Sequence, residues 1–250
     1  FLGDGNAFGL KTEKLYEILD LIAYYFPECE GINMDATVTS ILHKSQEELE
    51  MLARKKVKHL YLGIESGLDD VLKFMKKDHD LAQAYQAIDR LHEAGLIYDA
   101  HIMTGVAGKG RGMENAEALA QFLNRTNPAH VVNFSMFLHK EVPLYQDIRQ
   151  GTFVPADELE TIREEYHLIE RIAPEKAGAN ILYDGFHDFI HVRVRGHLPG
   201  DKEKMLAKLN GIIQEYEGKE PVYSFVQGEC PDLEYCDDGK AVWDMDRKTS

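Results

Sequence analysis

The sequence predicts an α/β fold on a mainly parallel sheet, and three observations carry that prediction. Apolar runs of strand length recur at residues 31–35, 59–64, 97–104 and 130–138. Helix-period segments lie between them, and the repeat is roughly 30 residues, the size of a strand–helix–strand unit. The segment 58–67, Lys-His-Leu-Tyr-Leu-Gly-Ile-Glu-Ser-Gly, delivers a glutamate to the carboxyl end of a buried strand, and carboxyl ends are where parallel sheets keep their chemistry.

Each element has its own punctuation. Phe1-Leu2 fits the tail of one more strand. The first helix is expected to use Thr12 as its cap, to bury Leu15, Leu19, Ile22 and Phe26 on one face, and to halt at Pro27. Ser45 with Glu48, and Asp157 with Glu160, have the spacing of capping boxes. Leu81, Tyr85, Ile88 and Leu91 form a stripe closed by Gly95, a residue suited to the left-handed position after a helix. A helix over 113–123 stops before Pro128, and the stripe Leu159, Ile162, Tyr166, Ile169, Ile172 stops before Pro174. Residues 187–198 alternate, predicting one half-exposed strand with Ile190, Val192 and Val194 on one face and Arg193 and Arg195 on the other. A last helix runs from an Asp201 cap to Gly218, and the acidic residues beyond it read as loop.

Composition narrows the function classes. With 250 residues, 44% hydrophobic and 28% charged, the chain can bury one sizeable core. A net charge of −15 opposes a phosphate backbone, so nucleic acid is disfavoured and a small molecule, anionic if it meets the basic strand face, or a protein partner is preferred. No apolar run reaches membrane length. Cys29, Cys230 and Cys236 are too few for a secreted disulfide framework, which points to a cytoplasmic protein.

Candidate chemistry gathers at strand ends. Gly3-Asp4-Gly5-Asn6 follows a strand tail and precedes a helix, so it reads as a loop whose backbone approaches a ligand. Asp35, Glu65 with Ser66, and His101 end successive strands. The loop Met103-Thr104-Gly105-Val106-Ala107-Gly108-Lys109-Gly110 fails both phosphate-binding spacings: Met103 stands where a P-loop needs its first glycine. His187 and His191, four apart on a strand, lie roughly 13 Å from each other and do not chelate one ion.

Taken together, Phe1-Leu2-Gly3-Asp4-Gly5-Asn6, Leu60-Tyr61-Leu62-Gly63-Ile64-Glu65-Ser66-Gly67 and Ile102-Met103-Thr104-Gly105-Val106-Ala107-Gly108 resemble the radical S-adenosylmethionine (SAM) superfamily, in its oxygen-independent coproporphyrinogen III oxidase-like and elongator-type branch. The resemblance implies a partial TIM-like (β/α)6 barrel over residues 1–175, lacking its first β/α unit, followed by an extension over 176–250 with one strand, one helix and an acidic tail. It implies that Gly3, Asp4, Gly5 and Asn6 hold the SAM amino group, and that Asp35, Glu65 and Ser66 lie near the methionyl and ribose parts. Lys77 falls near the SAM carboxylate and His101 at a ribose position, while Gly105, Gly108 and Met136 or Phe137 pack on adenine.

The family's Cys-x3-Cys-x2-Cys segment, whose thiolates hold a [4Fe–4S] cluster, does not occur in this sequence. The expectation is that those ligands lie upstream in a full-length radical SAM oxidoreductase that takes electrons from an external donor, and that this stretch alone is inactive. Two alternatives stand beside it: a metal-dependent barrel hydrolase using Asp35, Glu65 and His101, and a non-catalytic nucleotide-binding module.

Overall fold

The structure, a computed structural model, describes residues 1–3, 5–225, 232–235 and 241–244. Its elements run α1 (Thr12–Tyr25), β1 (Ile32–Ala36), α2 (Val38–Leu42), α3 (Gln46–Arg54), β2 (Val57–Glu65), α4 (Asp69–Phe74), α5 (Leu81–Glu93), β3 (Ile97–Thr104), α6 (Gly112–Thr126) and β4 (His130–Ser135). They continue with α7 (Leu144–Arg149), α8 (Glu158–Arg171), β5 (Ile181–His187), β6 (Val192–Leu198), α9 (Lys202–Tyr216), β7 (Asp232–Tyr235) and β8 (Ala241–Asp244).

One sheet has the order β1-β2-β3-β4-β5-β6. Its first five strands are parallel and β6 returns antiparallel to β5. Leu2 adds a parallel bridge to Met34 outside β1, its N–H donating to the Asn33 carbonyl at 2.8 Å. This is the open, partial (β/α) barrel that the alternation of apolar runs requires.

One set of strand residues, among them Met34, Leu60, Leu62, Ile64, Ala100, Ile102, Val131 and Tyr183, is buried under the helices in a single core cluster. Alternate residues point to the other face, where Asp35, Tyr61, Glu65, His101, His130 and Phe134 keep partial exposure. The helices therefore cover one face and leave a polar and aromatic face open, and burying apolar area on the first supplies most of the driving force.

Several local expectations are corrected. Lys11, not Thr12, caps α1, and the Thr12 hydroxyl instead accepts from Lys44 Nζ at 3.4 Å. Leu15 and Leu19 are buried, but Phe26 lies past the helix end and is 64% exposed. Ser45 and Glu48 make both bonds of their capping box, whereas Asp157 caps Glu160 N–H and the Glu160 side chain turns away to accept from Gly110 N–H. Asp201 makes no cap bond to α9; its carboxylate accepts from His197 N–H.

The larger correction concerns the region after residue 175, where one strand is expected and the sheet gains two. Residues 181–187 escape the pattern because Asp184, Gly185 and His187 stand at buried positions, so the burial of β5 alternates more closely than its hydropathy does. The apparent strand over 187–198 is broken by a single 3-10 turn, Asp188–Ile190, and by His191 at φ 54°. The alternation belongs to β6 alone: His187 pairs with Val192 and Gly185 with Val194 on one face, so the four-residue turn inverts the parity of the pattern between the two strands. The tail read as loop contains the antiparallel pair β7–β8, for which Asp238-Gly239 is a legible hairpin signal in the sequence.

Candidate functional site on the open face of the sheet

The parallel register places Asp35 beside Tyr61, Tyr61 beside Asp99, and Gly63 beside His101. These residues line the open face in rows. Rings connect them across the strands: Tyr61 lies 5.4 Å from His101 and 6.2 Å from His130, His101 lies 6.1 Å from Phe134, and Phe134 stacks on Phe186 at 5.5 Å. The outcome is an aromatic band across four strands, bordered by carboxylates.

Glu65 sits at φ 61°, a left-handed conformation that a side-chain-bearing residue adopts only under constraint. Its carboxylate accepts from Lys77 Nζ at 3.1 Å, and Gly63 provides the room, since a Cβ there would come within 2.5 Å of Glu65 Oε1. Burial lowers the His101 pKa and Lys77 adds to that effect, while Glu65 and Asp35 pull it up. Those four residues thus share one electrostatic neighbourhood, and His101 within it tends to the neutral form at pH 7, able to donate from one nitrogen and accept at the other.

Deeper on the same face, Asp99 Oδ2 pairs with His59 Nδ1 at 2.7 Å. Its other oxygen and His130 Nε2 are buried without a hydrogen-bond partner. Burial raises the Asp99 pKa and lowers that of His130. Further along, the Arg193 fork grips Asp184 through two bonds of 2.8 Å, and Arg195 lies 3.4 Å from the same carboxylate. The basic strand face is therefore committed largely to Asp184.

The remaining expected residues divide. Ser66 continues the Leu62 and Ile64 row on the helix side, where it is fully buried and donates to Asn115 Oδ1 at 2.6 Å. Gly105, at φ 83°, lies against Met136: a Cβ there would be 3.4 Å from the Met136 Cβ. Gly108 instead packs on Phe153 and Val154, beside a cavity of about 390 Å³ lined by Asp70, Val71, Phe74, Val106 and Arg111. Gly3 packs beside Phe1, Gly5 is open at φ 81°, and Asn6 faces Gly9 on the side of Thr37 and Lys44. Asp4 lies outside the described residues, as do Cys230 and Cys236. Among the described residues, Asp35, Glu65 and His101 form no group able to hold a metal ion, and this removes the hydrolase alternative's ligand set.

A buried polar cluster behind the sheet escapes the strand-end pattern. His187, with no exposed side-chain surface, bridges Glu158 and Glu165 at 3.0 Å each, and Glu165 also accepts from Tyr183 and Asn133. A signal for it exists in the sequence: positions 158, 161, 165, 168 and 172 continue one helical stripe with carboxylates at its N-terminal end.

Residues 1–123 match the Radical SAM superfamily. A tRNA uridine(34) acetyltransferase of Methanocaldococcus infernus is 25% identical over 119 residues, 47% of this chain and 22% of that protein. The chain thus spans about a fifth of the curated relative it matches. The solved structure of M. infernus Elp3 with an N-terminal deletion (1-46) superposes with a TM-score of 0.56 at 18% identity, covering 69% of this chain and 44% of the other. Coproporphyrinogen III oxidase from Escherichia coli gives 0.44 at 13% identity, covering 76% and 50%. With the open parallel barrel and the matched segment in agreement, residues 1–123 of this chain belong to the radical SAM superfamily.

Proposed function

We propose that this chain is the SAM-binding and substrate-binding part of a radical SAM enzyme of the elongator-type or coproporphyrinogen oxidase-like branch. The observation that carries the reading is the convergence of Asp35, Glu65, Lys77 and His101 on the open face over the carboxyl-terminal halves of β1 to β3. Lys77 and Glu65, paired at 3.1 Å, would exchange each other for the carboxylate and ammonium of one ligand, Asp35 would accept from a further ammonium or hydroxyl group, and the Tyr61–His101–Phe134 band would hold an apolar or planar portion away from water.

Family membership implies SAM and a [4Fe–4S] cluster that supplies the electron for reductive cleavage. The residues present do not fit the cluster: Cys29 donates weakly to the Gly31 carbonyl at 3.4 Å, and the sequence holds no three-cysteine segment. No cleavage step is routed through this chain. Within the proposal its own residues bind and orient, and the electron comes from an external donor. An anionic substrate meeting Arg193 or Arg195 would have to compete with Asp184, so a polar, uncharged substrate group fits the open face better.

Calorimetric titration of the chain with SAM, adenosine and methionine tests the proposal. SAM binding that weakens about tenfold or more in Lys77→Ala supports it. Equal binding of SAM and adenosine favours a nucleotide-binding module, and no binding of either rejects the reading for this chain.

A further inference from the structure

A continuous buried chain of hydrogen bonds joins the loop after β2 to the loop after β3 without touching the open face. Ser66 Oγ and Gly67 N–H both donate to Asn115 Oδ1, at 2.6 and 3.3 Å. Asn115 Nδ2 donates to Glu164 Oε1 at 2.7 Å, and Glu164 Oε2 accepts from Gly105 N–H at 2.8 Å. Ser66, Asn115 and Glu164 have no exposed surface. Each polar atom in the chain faces a complementary partner, which is the condition under which a buried network fixes geometry instead of loosening it.

The backbone is shaped to admit this chain. A Cβ on Gly67 would lie 2.4 Å from the Ala118 carbonyl carbon, one on Gly105 2.8 Å from Thr161, and one on Gly112 2.9 Å from Glu164 Oε2. Glycine at all three places lets α6 and α8 approach both loops closely enough for single side chains to bridge them. The two anchored ends are the residues next to Glu65 and the residue packed against Met136, so displacement at one end is transmitted to the other through two side chains.

We infer that Asn115 and Glu164 are positioning residues that lock the Glu65-bearing loop and the Gly105 loop into one rigid rim for the ligand. The inference rests on the SAM-binding reading above and deepens it: neither residue contacts ligand, and both set the spacing of loops that do. Once ionised, above about pH 8, a carboxyl group is suited to the α8 end because it accepts from two donors at once, and Asn115 is suited to the centre because it accepts on one side and donates on the other; the measurements are therefore made at about pH 9.

That polarity provides the test. Glu164→Gln replaces one acceptor oxygen by an amide NH2, so whichever way the Gln is turned, one donor is set against another, at Asn115 Nδ2 or at Gly105 N–H. Adding Asn115→Asp restores the chain with its polarity exchanged: the Gln amide donates to the new carboxylate at position 115, which still accepts from Ser66 and Gly67, and the Gln carbonyl accepts from Gly105. The readouts are SAM affinity by calorimetry and amide hydrogen exchange across residues 65–68 and 105–108, in variants whose folding is verified by thermal unfolding. The expected result is SAM binding at least tenfold weaker and exchange faster in both loops for Glu164→Gln, with recovery to within about threefold in the double variant. Unchanged SAM affinity in a folded Glu164→Gln, or faster exchange in only the Gly105 loop, overturns the inference. If E164Q fails to fold, Ser66→Ala, which removes one donor only, must by itself speed exchange at Gly105, and its failure to do so is equally decisive. A wild-type chain that binds no SAM refutes the underlying reading, and the inference falls with it; the wild-type titration thus separates the two failures.

Discussion

At the scale of single residues, the decisive feature is His187. Burial alone would lower its pKa, but the hydrogen bonds to Glu158 and Glu165 prevail and raise it to about 9. Burial likewise pushes Glu158 up, and His187 with the Ser224 and Ser135 hydroxyls overrides that, leaving it below its ordinary value. The folded state therefore holds a proton on His187 that the unfolded chain releases near its ordinary 6.5. Its contribution is fully present below that value and is lost as pH rises through about 9. Glu164, raised to about 8 by burial, acts in the same direction: the folded carboxyl keeps a proton that the unfolded one gives up near 4.5, so stability declines across that interval too. Urea unfolding at pH 7 and about pH 9.5 should show a lower midpoint at the higher pH. His187→Gln should cost about 3–5 kcal/mol at pH 7, because it strands buried carboxylates, and should flatten the alkaline part of the profile. A wild-type midpoint that rises with pH would contradict the assignment.

At the scale of elements, close approach between strand and helix sets what each glycine must be. A Cβ on Gly185 in β5 would fall 1.8 Å from Glu165 Oε1, so Gly185→Ala must displace the carboxylate that holds His187, Tyr183 and Asn133. A loss at or above the roughly 1–3 kcal/mol typical of overpacking is expected in chemical denaturation. Gly211 is the contrast: it lies on exposed α9 with nothing within 4 Å of its Cβ position, and Gly211→Ala should stabilise by about 0.5–1 kcal/mol. If the two substitutions shift the midpoint alike, the close packing at β5 is not what constrains that strand.

These elements also show where the sequence was readable. β3 occupies residues 97–104 as expected, because Tyr98, Ala100 and Ile102 alternate toward the helices while Asp99 and His101 take the other face, a period of two that a helix does not give. β5 was hidden because it spends positions on Asp184, Gly185 and His187: Asp184 is satisfied by Arg193 across the hairpin and His187 by carboxylates of α8 more than twenty residues away. In the candidate site, strand-end position picks out Asp35, Glu65 and His101, which lie partly exposed on the open face. Ser66 lies opposite Glu65 because it continues the Leu62 and Ile64 row, so grouping the two in one site disregards the period of the strand. Strand-end position could not show Asn115 and Glu164: a polar residue's burial follows from which partners the fold brings to it, and helical periodicity assigns such residues to water by default.

At the scale of the whole molecule, charge separates what this chain can bind from what its relative's name describes. The matched acetyltransferase is named for a tRNA uridine, yet the shared stretch is 22% of that protein, and this chain carries 43 acidic against 28 basic residues. Binding a nucleic acid at physiological salt draws its strength from lysines and arginines that displace counterions from phosphates. Here the long-range field opposes approach, and the exposed arginines of β6 lie beside Asp184. The chain should therefore show no tRNA binding by fluorescence anisotropy at about 150 mM salt up to micromolar protein, and lowering the salt should lengthen the reach of the repulsion without producing affinity. SAM binding under the same buffer should be nearly insensitive to salt, because its contacts are short-range and partly buried. Salt-dependent tRNA binding with a slope of several phosphates would locate a basic surface strong enough to overcome the net charge, and it would move the substrate assignment from a small molecule to RNA.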